Sequence, residues 1–288
     1  MRDDDRQLSI KALKELIATE EDAGPADQKE YDLQRITLAT LEAREREHAA
    51  HIARWSAQIA RLESGEAVES LDIELGPYRL IRMLGQGGNG LVWLAEHPMP
   101  DGPPRLVAIK VLQERWRQHP ERVDRFRREI GVMGRIQHRS IVPIYDYDVR
   151  RFFVVMPYLA GGTLRDRLQG KPVPEAQALS WLGQIGAALD FVHDRHHELL
   201  HRDVKPENML FADDGETLYL SDFGLVFSAQ ADEPITQDAG RPIGTGRYMA
   251  PEQWRKQPLS RATDLYAVGI VAYELLTGQS FDEWFAPR

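Results

Sequence analysis

The stretch that most constrains this chain is residues 78–96. Tyr78-Arg79-Leu80-Ile81-Arg82-Met83-Leu84 reads as a strand, and Leu91-Val92-Trp93-Leu94-Ala95-Glu96 as a second one. Between them lies Gly85-Gln86-Gly87-Gly88-Asn89-Gly90. In a dinucleotide-binding βαβ unit such a glycine pattern opens a helix. Here it runs into a strand, so the glycines tip a hairpin. A hairpin stripped of side chains lets backbone amides approach phosphate groups closely. Taken alone, it is equally a plain glycine-rich turn.

The rest of the chain extends that frame. Arg105–Val111 reads as a third strand, residues 120–136 as a charged helix with Phe126, Ile130 and Met133 on one face, and Phe152–Met156 as another strand. From Pro174 onward helices dominate, roughly 174–194 and 262–276. A hairpin of Asn208–Phe211 and Thr217–Leu220, turned at Asp213-Asp214-Gly215, lies between them. Strands first and helices second predict two lobes with a cleft.

Four further motifs follow in order. Val107-Ala108-Ile109-Lys110 puts a lysine in an apolar strand, where an ammonium is costly without a carboxylate partner. Glu129 on the charged helix is the best candidate, with Glu121 second. In His201-Arg202-Asp203-Val204-Lys205-Pro206-Glu207-Asn208, Asp203 is placed to accept or orient a substrate hydroxyl. Lys205 can neutralise charge on a phosphoryl group in transfer, and Asn208 offers a neutral oxygen to a magnesium ion. Asp222-Phe223-Gly224 adds a carboxylate for that metal, and Ala250-Pro251-Glu252 closes the series.

Five motifs in this order and spacing resemble the eukaryotic-like Ser/Thr protein kinases. The stretches LGQGGNGLVWLAEH and DLYAVGIVAYELLTG are most similar to bacterial members, and the likeness covers about residues 77–283. The resemblance implies an α+β fold, a two-lobe protein kinase-like architecture with a small antiparallel β lobe (77–158) and a helical lobe (159–288), preceded by an α-helical extension (1–66). It implies ATP with Mg2+, or Mn2+ in its place, and protein substrates carrying Ser/Thr acceptors, this chain among them. Adenine would lie between Val92 and Ala108 above and Leu210 below, under Gly85, Gly87 and Gly90. Met156 would be the gatekeeper, and Pro157, Tyr158 and Leu159 the hinge. Pro157 stands where many relatives carry Glu, but it keeps the carbonyl that position supplies. Lys110 and Glu129 would hold the α/β phosphates, Asn208 and Asp222 the metal, and Asp203 would be the base. Met133, Ile144, His201 and Phe223 would form an apolar spine, and Asp264 would anchor the catalytic loop. Lys205 and Thr245 favour Ser/Thr over Tyr as acceptor. Arg202 points to phosphorylation within 225–249, at Ser228, Thr236 or Thr245, with Thr236 favoured.

The resemblance also implies helices beyond 262–276 and an arginine partner for Glu252, neither within these 288 residues, so the helical lobe reads as incomplete and the chain as a fragment. An alternative reading is a nucleotide-binding pseudokinase or scaffold. Lys110, Asp203 and Asp222, all present, argue against it.

The first 70 residues carry 16 acidic against 10 basic side chains, and the whole chain has net charge −9. That excludes a general nucleic-acid coat. No apolar run suggests a membrane span, and the absence of cysteine fits a reducing cytoplasm. A helix is predicted from about Gln28 to Leu62. Leu38, Leu41, Glu45, His48, Ile52, Trp55, Ile59 and Leu62 step along it by three and four, a heptad seam with a polar middle. It reads either as a homodimer arm or as a helix whose stripe packs on its own domain.

Overall fold

Alternation along the strands sets the first half of the architecture. Six strands form one antiparallel sheet: β1 (Ile73–Leu75), β2 (Tyr78–Gly87), β3 (Gly90–His97), β4 (Arg105–Leu112), β5 (Asp146–Asp148) and β6 (Phe153–Pro157), in spatial order β1-β2-β3-β4-β6-β5. The computed structural model describes residues 14–18, 20–21, 38–63, 73–87, 90–112, 120–194, 199–223 and 245–281. It divides into two units, residues 1–127 with 144–158, and residues 128–143 with 159–288.

β4 is central to the sheet and buried on both faces from Val107 onward, which is why it reads as one apolar run interrupted by Lys110. Val92 lies opposite Lys110, Leu94 opposite Ala108, and Ala108 opposite Met156. Paired residues and alternate residues share a face, so Val92, Ala108, Lys110 and Met156 all project from the same side. The intervening residues, Leu91, Trp93, Val107, Ile109 and Val155 among them, build a core on the other side.

That core is completed from the amino-terminal segment. Residues 14–18 are helical, and Leu16 is fully buried in it. So is Trp55 of the long helix α1 (Leu38–Glu63). Of the expected seam, Leu41 and Trp55 turn inward and Ile52 is half-buried, while Glu45 and Leu38 face solvent. His51, off the seam, is buried instead. A straight helix follows a 3.6-residue period, so its buried stripe drifts away from a strict heptad. Residues 28–37 and the side chains of His48, Ile59 and Leu62 lie outside the described residues.

Some boundaries differ from the sequence reading. β1 and β5 went unforeseen, being three residues long, and β5 is the polar run Asp146-Tyr147-Asp148. Helix α2 spans Pro120–Met133 and ends before 136, because Arg135 and Ile136 bond to carbonyls three residues back in a tightened last turn. The strand expected from 152 begins at Phe153, since Phe152 has φ +52°.

The second unit is mostly helical: short α3 (Leu164–Arg167), α4 (Glu175–His193), short α5 (Pro251–Trp254) and α6 (Arg261–Thr277). α4 buries Ala178, Trp181, Ile185, Leu189 and Val192, one face at helical spacing, and packs on α6. α6 begins at a Ser260 cap and stops at Gly278, φ +68°. The two-stranded hairpin β7 (Met209–Phe211) and β8 (Leu218–Leu220) carries the functional loops at its ends. Asp214 closes its turn by accepting from the backbone N–H groups of Glu216 and Thr217. Among the described residues, no helix is long and apolar enough to cross a membrane.

Candidate active site

In the first unit, the glycine hairpin forms as expected. Gly85 pairs with Val92, and Gly87 with Gly90; Gly88 and Asn89 lie outside the described residues. The glycines differ in why they are needed. A Cβ on Gly90 would stand 2.1 Å from the Val111 carbonyl oxygen, so β3 can approach β4 there only without a side chain. A Cβ on Gly85 would meet nothing within 4 Å, which leaves open space over that position. Lys110 is buried, 4% exposed, on the face shared with Val92, Ala108 and Met156. Pro157 is the last residue of β6, opposite Val107, where a missing donor costs no interior ladder bond. Glu129 belongs to α2, but its side chain lies outside the described residues.

In the second unit, the segment from His201 to Lys205 has no regular structure of its own. It is pinned by the carboxylate of Asp264 at the start of α6, 1% exposed. Oδ2 accepts the backbone N–H of His201 at 2.8 Å and Nε2–H of His193 at 2.8 Å, and Oδ1 accepts the N–H of Arg202 at 2.7 Å. Burial pushes the Asp264 carboxyl upward, yet the hydrogen bond from His193, the neighbouring His201 and the two backbone donors outweigh it and hold it below the usual carboxylate range. These bonds support Arg202 at φ +68°, a conformation uncommon outside glycine.

His201 is buried and its basicity is lowered by that burial, so its ring is neutral. Its Nδ1 accepts the N–H of Asp203 at 3.3 Å and its Nε2–H donates to the Ser221 carbonyl at 2.8 Å, which fixes the tautomer. The ring centroid lies 4.5 Å from that of Phe223, which is buried. Two members of the expected spine therefore touch.

Of the predicted catalytic residues, Asp203 and Lys205 come together, with Asn208 beside them. Lys205 donates its ammonium to Asp203 Oδ2 at 2.7 Å. The Asn208 side-chain amide donates to the Asp203 carbonyl at 2.7 Å and to Oδ2 at 3.1 Å, so these bonds use its nitrogen and leave Oδ1 for a cation. Ser221 donates its N–H and hydroxyl to the Asn208 carbonyl at 2.9 and 3.0 Å. This joins the two ends of the β7–β8 hairpin and sets Asp222 one residue from that junction. Asp222 has φ +64°, a backbone conformation that persists only where its surroundings impose it. Leu159 precedes α3, and Leu210 is half-buried in β7, bridged to Thr163.

Among the described residues, no group of three or more His, Cys, Asp or Glu could hold a metal ion by itself. One carboxylate and one amide oxygen instead fit Mg2+, which keeps several waters and shares its shell with substrate phosphates.

Several contributors were not anticipated. Gln253 donates to the Arg202 carbonyl at 2.9 Å and accepts the Ala250 N–H at 2.9 Å, tying the Ala-Pro-Glu segment to the loop that carries Asp203. Glu252, expected to await an arginine, accepts the Thr263 hydroxyl at 2.7 Å. Glu207 pairs with Arg165 at 2.7 Å, and Arg165 also reaches buried Glu274 at 3.3 Å. A lone histidine, glutamine or arginine on a helix carries no sequence signal for such duty. Ser228 and Thr236 lie outside the described residues, as does the side chain of Thr245.

Residues 78–283 match the protein kinase domain family. The chain is 38% identical over 206 residues to the serine/threonine-protein kinase PknH of Mycobacterium bovis, covering 70% of this chain and 33% of that protein. It is 38% identical over 212 residues to Pkn1 of Myxococcus xanthus, covering 72% and 30%. The match thus spans about a third of the length of these curated relatives. The crystal structure of a point mutant of the Mycobacterium tuberculosis PknI kinase domain superposes with a TM-score of 0.56 at 28% identity, over 74% of this chain and 78% of that one.

Proposed function

We propose that this chain, which belongs to the protein kinase family, transfers the γ-phosphoryl group of ATP to Ser and Thr hydroxyls of proteins, itself included. The observation that carries the reading is the Asp203–Lys205–Asn208 cluster held on a loop pinned by Asp264.

In this reading the acceptor hydroxyl approaches Asp203. Its oxygen forms the new bond to the γ-phosphorus, and the bond to the bridging oxygen of ADP breaks. The proton passes to the Asp203 carboxylate and then to solvent. Lys205, already on Oδ2, offsets charge on the phosphoryl oxygens as they move. Asn208 Oδ1 and the Asp222 carboxylate would hold Mg2+, or Mn2+ in its place, and the cation would supply charge neutralisation to the phosphates. Lys110 positions the α and β phosphates with Glu129 as its carboxylate. Val92, Ala108 and Met156 are the proposed adenine contacts of the first unit, and Leu210 that of the second. Pro157 and Leu159 offer hinge backbone groups, and Gly85, Gly87 and Gly90 cover the phosphates. The oxygen donors and Lys205 support ATP-dependent Ser/Thr phosphorylation over a nucleotide-binding scaffold. The inward-facing Leu41 and Trp55 favour an intramolecular role for residues 38–63 over a dimer arm.

The test is radiolabelled transfer from ATP to a panel of unfolded Ser/Thr-containing proteins, followed by acid hydrolysis. Phosphoserine or phosphothreonine, abolished by Asp222→Ala, is the expected product. Phosphotyrosine alone, or label insensitive to Asp222→Ala, would reject the reading.

A further inference from the structure

The polar cluster at the edge of the amino-terminal segment takes no part in the chemistry above. Glu20 is fully buried. Arg151 meets it with two prongs, Nε 3.0 Å from Oε2 and Nη2 3.1 Å from Oε1, and His51 of α1 places Nδ1 3.1 Å from Oε1. Arg151 lies in the turn between β5 and β6. That turn is fastened from within by Asp148, whose Oδ1 accepts the N–H groups of Arg150 and Arg151 at 2.7 and 3.0 Å.

The next residue, Phe152, has φ +52°, rare for a bulky side chain and sustained only when its neighbours over-determine it. Three constraints do so. Arg151 is gripped by Glu20. The Phe152 carbonyl accepts the N–H of Leu112, two residues past Lys110 on β4, at 2.9 Å. Its ring stacks on Phe126 of α2, centroids 5.4 Å apart and planes 25° from parallel. Phe126 is fully buried and lies three residues before Glu129 on the same helix. A 14-residue helix is marginal alone and takes its order from such tertiary anchors.

We propose that the amino-terminal segment, through Glu20 and α1, is a positioning element for α2. It grips Arg151, the strained turn presents Phe152, and Phe152 fixes Phe126 and with it the helix that carries Glu129. The consequence for catalysis rests on the kinase reading above, whereas the mechanical coupling does not.

Amide hydrogen exchange on the unliganded chain separates the links. Glu20→Ala should speed exchange of the α2 amides by about tenfold, and also loosen residues 47–55 of α1. Phe152→Gly, which accepts the same φ without strain, should speed α2 by about the same factor while leaving α1 at wild-type protection. The α4 amides should not change in either variant. If Glu20→Ala does not fold, Arg151→Lys, which keeps the charge but loses the second prong, is read in its place. Unchanged α2 exchange in a variant whose α1 has loosened, or in Phe152→Gly, would overturn the coupling. In active preparations, kcat of Phe152→Gly should fall about tenfold with KM for the protein substrate unchanged. Full kcat beside a loosened α2 would overturn the catalytic consequence. A wild-type chain that transfers no phosphate would defeat the kinase reading while the exchange data still decided the coupling.

Discussion

The two units hold their functional residues by opposite means. In the first, Lys110, Val92, Ala108 and Met156 ride on a sheet, positioned by strand register and by apolar packing on the reverse face, where Trp55 and Leu16 complete the core. In the second, Asp203 and Lys205 sit on irregular backbone that leads into a short 3-10 turn ending at Asn208, fixed by directional bonds, three of which converge on Asp264. Apolar packing yields in proportion to the volume removed, because neighbours relax part of the way. A buried polar anchor fails abruptly, because each donor it abandons stays desolvated and unpaired. The proposed nucleotide-facing residues should therefore degrade gradually under mutation, and the proposed catalytic loop in steps.

The largest expected effect isolates chemistry from scaffold. Asp203→Asn should lower phosphoryl transfer by about 10²–10⁴-fold, read as initial rate, with little change in melting temperature. A comparable fall in stability would show that the loop's chemistry and its anchoring are not separable. Next comes the apolar side of the contrast. Trp55→Ala should cost about 3–5 kcal/mol of unfolding free energy, read from the denaturant midpoint. A cost near zero would mean the amino-terminal segment does not contribute to the sheet's core.

Asp264→Asn keeps the volume but turns a donor toward one of the backbone N–H groups it served. About 1–3 kcal/mol is expected for that orphaned donor, together with a fall in kcat out of proportion to the change in KM for ATP. Acid should act on the same anchor. His201 is held neutral by burial, so below about pH 6.5 the unfolded chain binds a proton that the folded chain refuses. Stability should fall as pH drops through that range, by at most about 1.4 kcal/mol per pH unit. Asp264, whose folded carboxyl is depressed, contributes stability that is present above its unfolded value of about 3.9 and lost as pH falls through its lower folded one. Urea midpoints from pH 7.5 to 5.5 should therefore decline, and a flat profile would contradict a neutral His201. The smallest effect is local. Thr163 caps α3 in a reciprocal box with Asp166, so Thr163→Ala should cost about 1 kcal/mol, measured by thermal unfolding, without altering transfer.

Legibility in the sequence follows the same division. Lys110, Asp203, Lys205, Asn208 and Asp222 could be singled out as candidates because each motif needs fixed residue types at fixed spacing. The core strands were readable from alternation. The anchors were not. His193 sits 71 residues from Asp264, and its role depends on how α4 packs on α6. Gln253 and Arg165 act through bonds that cross elements, which no local pattern records. Two strands were too short to show a period. The amino-terminal helix was visible, but its heptad seam left open whether it meets a partner helix or its own domain; Trp55 packs into the core of its own sheet, and Leu41 and His51 are buried. Glu20 and Arg151, 131 residues apart, could be paired only by the fold.

The central claim, that a loop fixed by Asp264 carries phosphoryl transfer, is tested most directly by intact mass. The purified chain is incubated with ATP and Mg2+ and followed over time, beside Asp203→Asn. The account predicts stepwise gains of one phosphate each on the wild-type chain, and gains slower by about 10²–10⁴-fold on the variant. A wild-type chain that binds ATP with Mg2+ yet gains no mass, and labels no protein added to it, would contradict it.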